Sequence, residues 1–255
     1  MDLSNHTRRK GSRTLNNVPI EIIEQLNRGV LETANLMEGL AIDFAKLVQS
    51  TIGLTLSADK QQYLKSLGIT QRMKETARYL LEQGHSVDSF LNHPSDTVRG
   101  WAGYMISLDP RFSLKEKFNL IRNLADDSHF GVREWAWLSM RSYCVEDPVS
   151  IIKLLEPWLI QTDNQRRFTS EITRPRGVWC AHITLLKEQP QIALSILNAL
   201  KADPSRYVQN SVANWLNDAA KSNKQWVKDL CQLWKQESPV EATAYICKRA
   251  LRNCK

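Results

Sequence analysis

From Ser57 onward the apolar positions recur at the three- and four-residue spacing of amphipathic helices, and polar start signals precede them. Leu114, Phe118, Ile121 and Leu124 form one stripe. Ile151, Ile152, Leu155, Trp158 and Leu159 form a second, and Ala193, Ile196, Leu197 and Leu200 a third. Ser113-Leu-Lys-Glu116, Ser222-Asn-Lys-Gln225 and Ser238-Pro-Val-Glu241 read as capping boxes, in which serine and the later acid or amide satisfy orphan amides reciprocally. Asp147-Pro148 and Asp203-Pro204 read as N-caps followed by proline, whose missing N–H costs nothing in a first turn. Before Ser57, Pro19 opens a stripe of Ile22, Ile23 and Leu26, followed by Leu36, Leu40, Phe44 and Leu47. No segment alternates with the period of two of a half-buried strand. The pattern predicts an all-α fold.

The helices are also paired. Val98-Arg99-Gly-Trp101-Ala102 is echoed by Val132-Arg133-Glu-Trp135-Ala136, and more loosely by Val208-Gln209-Asn-Ser-Val212-Ala213. Arg174-Pro-Arg176-Gly-Val-Trp179 sits between the last two as a fourth candidate copy. Helix pairs recurring every ~33–47 residues mark helical solenoids, whose repeats bury their apolar faces only by stacking. The expectation is a HEAT-like helical repeat solenoid with a concave face over residues 57–255. An N-terminal helical segment over 1–56 would cap it or reach over a ligand, the whole forming effectively one domain.

Composition narrows the class. Of 255 residues, 42% are hydrophobic and 24% charged, which leaves no room for large-scale disorder, and only 10 are glycine, too few for a turn-rich all-β fold. No stretch approaches the ~18 consecutive apolar residues of a membrane span. Met1–Asn5 and the basic run Arg8, Arg9, Lys10 lead into no apolar core, so no secretory signal is expected. The cysteines (144, 180, 231, 247 and 254) are odd in number, scattered and without a CxxC pair, which predicts reduced thiols in a cytoplasmic protein. Lys and Arg total 34 against 27 acids, a net charge of +7 that attracts polyanions without identifying one.

The histidines (6, 85, 93, 129 and 182) include no pair at ligand spacing, so no metal is expected, and no phosphate-cradling glycine loop occurs. A cysteine nucleophile has no local base beside it. What stands out is a set of acids beside tryptophan and arginine in successive repeats: Glu134 in Arg-Glu-Trp-Ala-Trp, Glu171 in Ser-Glu-Ile-Thr-Arg-Pro-Arg, and Asp218 in Trp-Leu-Asn-Asp. Stacked repeats would bring such acids to one face. Equally, acids beside Arg133, Arg174 or Arg176 can be ordinary inter-repeat ion pairs. Arg166, Arg167, Arg174 and Arg176, with Lys221, Lys224 and Lys228, can neutralise phosphates or simply be solvated. Of eight tryptophans most should be core; Trp135 and Trp179, next to the acids and arginines, are the two expected to touch ligand.

At these residues the sequence resembles the AlkC branch of the AlkC/AlkD family of bacterial DNA alkylation-repair glycosylases. The likeness lies in RRKGSR and VPIEIIEQLNRGVLETANLMEGLAIDF near the start, then FGVREWAW, TSEITRPRGVWCAHI and RYVQNSVANWLND. It implies a HEAT-like solenoid that binds duplex DNA on its concave face and removes bases such as 3-methyladenine by hydrolysing the N-glycosidic bond, as a monomer and without a cofactor. Glu134, Glu171 and Asp218 would be the catalytic carboxylates. Arg174, Arg176, Trp135 (an aromatic position that relatives fill with residues such as Phe) and Trp179 would meet the DNA. Some relatives carry an additional immunoglobulin-like domain after the solenoid; none is expected here. The chemistry suits the residues: a 3-methylated adenine is cationic and leaves readily, positive charge builds on the sugar, and carboxylates in a dry cleft stabilise it and orient water. The family reading also implies attack on a base still in the helix rather than flipped into a pocket. A HEAT-like scaffold that grips nucleic acid or protein without catalysis is the alternative; three carboxylates on a DNA-facing surface would serve it poorly, because they repel phosphate.

Overall fold

The computed structural model describes residues 9–254. Met1–Arg8 and Lys255 lie outside the described residues, and with them the Met1–Asn5 opening, His6 and the first arginine of the basic run. The described residues form α-helices joined by short 3-10 turns and loops, with no strand among them. In order these are α1 (Ile20–Asn27), α2 (Leu36–Ala41), α3 (Phe44–Ile52), α4 (Ala58–Ser66), α5 (Ile69–Glu82), α6 (Asp88–Leu91), α7 (Asp96–Leu108), α8 (Leu114–Ala125) and α9 (Phe130–Glu146). Then follow α10 (Pro148–Leu155), α11 (Asp163–Ile172), α12 (Thr184–Glu188), α13 (Leu194–Leu200), α14 (Arg206–Ala220), α15 (Lys224–Glu237) and α16 (Glu241–Ala250). The all-α expectation holds. The chain divides into two compact units between Ser139 and Met140, inside α9.

Each unit has the same internal logic. In the first, α5 and α7 lie side by side, and α6 and α8 pack on α7 as a second layer. The N-terminal half of α9 continues the first layer, since Gly103 of α7 abuts the Ser139 hydroxyl and Gly100 abuts the Trp135 ring. In the second unit α11, α14 and α16 lie side by side, backed by α13 and α15. The predicted stripes supply the apolar faces: Phe118, Ile121 and Leu124, then Ile151, Ile152 and Leu155, then Ile196, Leu197 and Leu200 are all buried.

Two of the start signals act as expected. The Ser113 hydroxyl and the Glu116 carboxylate complete a reciprocal capping box, and Asp147 caps Ser150 N–H with Pro148 in the first turn. The others are diverted. Asp203 accepts from Arg166 and from Ser205 N–H, so α14 starts later, at Arg206. The Ser222 hydroxyl accepts from Arg176 and α15 starts after Asn223, while α16 starts after Val240 rather than at Ser238.

The repeat has a side-chain signature. Arg99 turns back to the carbonyls of His93 and Pro94 and pairs with Asp127 at 2.8 Å. Arg133 turns back to the carbonyls of Asp127 and Ser128. Arg166 turns back to Gln161 O and pairs with Asp203 at 2.6 Å, and Gln209 donates to Asp203 O. Arg99, Arg133, Arg166 and Gln209 are therefore the equivalent positions. This corrects the register expected from sequence, which set Arg174–Trp179 between the Val132 and Val208 copies. The intermediate copy is Gln165-Arg166-Arg167-Phe168, at the start of α11, and Arg174–Trp179 is the loop that follows that helix.

The N-terminal segment is fastened to the first unit by polar ties. The Asp96 carboxylate, at the start of α7, accepts from Thr33 N–H at 3.0 Å and from the Thr33 hydroxyl at 2.7 Å. His129 Nε2 lies 2.7 Å from Thr33 O, Arg99 reaches Glu32, and Arg9 grips Glu38.

Gly100 offers a direct test of the packing between α7 and α9. An added Cβ would lie 2.6 Å from Trp135 Cδ1 and 2.6 Å from Met73 Cε. Helix propensity alone favours alanine by about 0.5–1 kcal/mol, whereas overpacking costs about 1–3 kcal/mol. Gly100→Ala is expected to lower stability on balance in urea unfolding; a gain would mean that the Trp135 ring does not rest on this glycine.

Candidate active site

In the second unit two buried carboxylates come together across the α11–α14 packing. Glu171 is on the last turn of α11 and is 3% exposed; Asp218 is near the end of α14 and is 5% exposed. The end of α11 is held by Trp215 of α14, whose Nε1–H donates to Thr173 O at 3.0 Å, and Pro175 keeps the chain from continuing as helix. The chain then runs as a loop to α12, and Arg174 folds back from it into the site.

Arg174 joins the two acids. Its Nη1 donates to Glu171 Oε2 at 3.2 Å, and its Nη2 and Nε donate to Asp218 Oδ2 at 2.6 and 3.0 Å. Burial would lower the Arg174 pKa, but the charges of Glu171 and Asp218 outweigh it and raise it above its ordinary value. Each carboxylate has further support. Glu171 Oε1 accepts from the Ser211 hydroxyl at 2.7 Å, with Arg167 3.4 Å away. Ser211 in turn lies 2.5 Å from the Ser170 hydroxyl. Asp218 Oδ1 accepts from the half-exposed Lys221 at 2.9 Å. Arg176 donates to Asp218 O at 3.3 Å and to the Ser222 hydroxyl at 2.6 Å. A buried acid pair with a basic rim results.

Trp179 stands on the loop after Arg176 and is 42% exposed, beside Val178. The loop turns tightly there, because the Cys180 thiol occupies the space that a Cβ on Gly177 would need. In the first unit, Glu134 accepts from Trp137 Nε1 at 2.9 Å, and the half-buried Trp135 rests on Gly100. Glu171, Asp218, Arg174 and Arg176 are thus one cluster in the second unit, while Glu134 and Trp135 belong to the first.

The corrected repeat register refines how the acids relate. Glu134 directly follows the ladder residue Arg133. Glu171 lies one helical turn further beyond Arg166, and Asp218 one turn further again beyond Gln209. The three are therefore not equivalent positions of the repeat. Ser211 and Trp137, which bond the acids, are not singled out by the sequence, and Arg167, expected there only as a phosphate contact or solvated charge, instead lies against Glu171. Ser211 lies on the same α14 face as Asp218, two turns earlier, which is the signal that could have found it.

Among the described residues no group of three His, Cys, Asp or Glu side chains is placed to hold a metal ion. No helix among them is long and apolar enough to cross a membrane. The Cys144 thiol is buried, which pushes its pKa up to about 12, and burial raises that of Cys180. Neither supplies a thiolate near neutral pH.

The architecture is that of the helical-repeat alkylation-repair proteins. The chain superposes on Pseudomonas fluorescens alkylpurine DNA glycosylase AlkC, bound to DNA containing an abasic site analog, with a TM-score of 0.65 and 21% identity; the match covers 96% of this chain and 65% of AlkC. It superposes on AlkD2 from Streptococcus mutans with a TM-score of 0.60 and 21% identity, over 75% of this chain and 97% of that one. The chain thus resembles the AlkC/AlkD family, and at these identities the likeness is one of fold. In sequence it is 33% identical over 133 residues to the uncharacterized protein YhaZ of Bacillus subtilis (strain 168), 52% of this chain and 36% of that protein. The matched part therefore spans little more than a third of that relative, and the chain spans under two thirds of AlkC. No family model matches the chain.

The Ser211 contact can be weighed by itself. Ser211→Ala removes the hydroxyl donor from a buried carboxylate oxygen, and a lost bond to a charged group costs about 1.5–3 kcal/mol. Denaturant unfolding should register that loss; an unchanged midpoint would mean that Arg167 alone satisfies Glu171 Oε1.

Proposed function

We propose that this chain is a DNA glycosylase that excises cationic N-alkylated bases of the 3-methyladenine type by hydrolysis of the N-glycosidic bond. The observation that carries the reading is the pair of buried carboxylates, Glu171 and Asp218, bridged by Arg174 in a fold shared with AlkC. Buried acids cost desolvation energy, and unlike Asp96 and Asp203, which tie chain segments singly, these two stand together on one arginine. They suit a reaction whose transition state builds positive charge on deoxyribose. Held in place before the substrate arrives, they stabilise that charge without reorganisation, and one carboxylate orients the attacking water. Glu134, oriented by Trp137, is the third carboxylate of this reading. Arg174, Arg176, Trp135 and Trp179 are its DNA contacts. No residue is asked to protonate the base, because the lesion brings its own leaving-group charge.

Single-turnover base release from defined methylated duplexes tests the proposal. Glu171→Gln and Asp218→Asn keep shape and remove charge, so release should fall by ~10²-fold or more, the scale of a lost electrostatic stabiliser. Duplex binding should persist or tighten. Glu134→Gln should act in the same direction, more weakly. Neutral bases such as uracil should stay in place, chelators should leave the rate unchanged, and borohydride should trap no adduct. Full activity in all three variants would return the acids to an ion-pair role.

Duplex affinity should also fall steeply as salt rises, because arginine and lysine contacts release condensed counterions, and Arg176→Ala should weaken it. A flat salt response would favour a protein-binding scaffold.

A further inference from the structure

Arg141, in the C-terminal part of α9, is 2% exposed. Its guanidinium donates only to backbone carbonyls. Nη1 reaches Ile172 O at 2.5 Å, Nη2 reaches Arg174 O at 2.6 Å and Ala181 O at 3.0 Å, and Nε reaches Ala181 O at 3.2 Å. No carboxylate takes part in these bonds. Burial pulls its pKa below the ordinary value, yet arginine in proteins stays protonated. A full positive charge is thus held inside the unit on carbonyl dipoles.

Burying a charge without an ionic partner is costly, and here that cost is offset by bonds to three backbone carbonyls. What arginine adds is a rigid planar fork of donors that holds several acceptors at fixed separations. Its acceptors belong to two chain segments. Ile172 ends α11 and Arg174 follows it, whereas Ala181 lies on the return strand of the loop. These are the two feet of the loop that carries Arg174, Arg176 and Trp179. One backbone bond, Ile183 N–H to Pro175 O at 3.0 Å, links the feet directly; Arg141 bonds both from a third element.

We propose that Arg141 is a positioning residue of this site: its buried guanidinium clasps both feet of the 173–182 loop and so sets where Arg174, Arg176 and Trp179 stand relative to Glu171 and Asp218. The consequence for rate rests on the glycosylase reading. The clasp does not, and shows in the free protein. A lysine at this position has a single nitrogen and reaches one foot, so it restores the clasp in part.

The test uses Arg141→Met and Arg141→Lys, each held well below its own melting temperature as read by circular dichroism. Trypsin cleavage after Arg176 reports the order of the loop, since Arg174 is followed by proline and resists cutting. Single-turnover base release from methylated duplex, with protein saturating, reports positioning. In Arg141→Met, cleavage after Arg176 should speed up tenfold or more, and release should fall by ~10²-fold, as for an ångström-scale misplacement of catalytic groups. Arg141→Lys should lie between methionine and wild type in both. A folded Arg141→Met with wild-type cleavage overturns the clasp, and faster cleavage with unchanged release overturns the positioning role. Should the methionine variant fail to fold, the lysine variant decides alone: intermediate values in both readouts support the proposal, and wild-type values overturn it. If the wild-type protein releases no base, the glycosylase reading falls, and the cleavage rates still judge the clasp.

Discussion

A guanidinium enclosed by protein must find an acceptor for each of its donors, and in this protein that requirement joins one helix to the next. Arg99 spends its fork on its own preceding turn and on Asp127, and Arg166 does the same with Gln161 and Asp203. Each such arginine fixes a helix start against the turn that opens the next repeat. The apolar stripes supply most of the attraction between helices, since burial of apolar area is the dominant favourable term. Stripes tolerate sliding by a turn, whereas the directed bonds of the arginine ladder do not. The ladder accordingly sets the register in which α11 and α14 face each other within the second unit.

The acid pair depends on that register. Glu171 comes from the end of one helix and Asp218 from the end of another, and Trp215 and the Ser170–Ser211 contact join α11 to α14 beside them. Two carboxylates this enclosed would repel each other if left alone. Arg174 lies between them and donates to both, at the cost of its own burial. Arg167, Arg176 and Lys221 form a basic rim around the pair.

The loop after α11 shows how closely position and charge are coupled. It holds the arginine that bridges the acids, and its feet are gathered by another arginine with no acid of its own. Two cations near one another would ordinarily destabilise the site. Here Glu171 and Asp218 face Arg174, and carbonyl dipoles face Arg141, so each charge has its own set of acceptors.

Helices were legible in the sequence because their information is local. Phe118, Ile121 and Leu124 lie on one face whatever surrounds them, and Ser113 with Glu116 closes a cap through residues one turn apart. The motifs around Glu134, Glu171, Arg174 and Asp218 stand out by composition, but composition leaves them as either a site or inter-repeat ion pairs, and only the family resemblance gives them roles. Other features were settled only by tertiary contacts. Asp203 and Ser222 have the local form of caps, yet arginines from distant positions claim them and the helices start elsewhere. Arg174–Trp179 has the composition of a repeat copy, yet Pro175 bars a helix and the copy falls at Arg166. Arg141 and Ser211 carry no local mark at all. A single charged or hydroxyl side chain on a helix is normally solvated, and what buries these two is the packing of helices and a loop far away in the chain. Periodicity and capping decide which segments are helices; only the folded stack decides which polar side chains lose water and must find partners in one another.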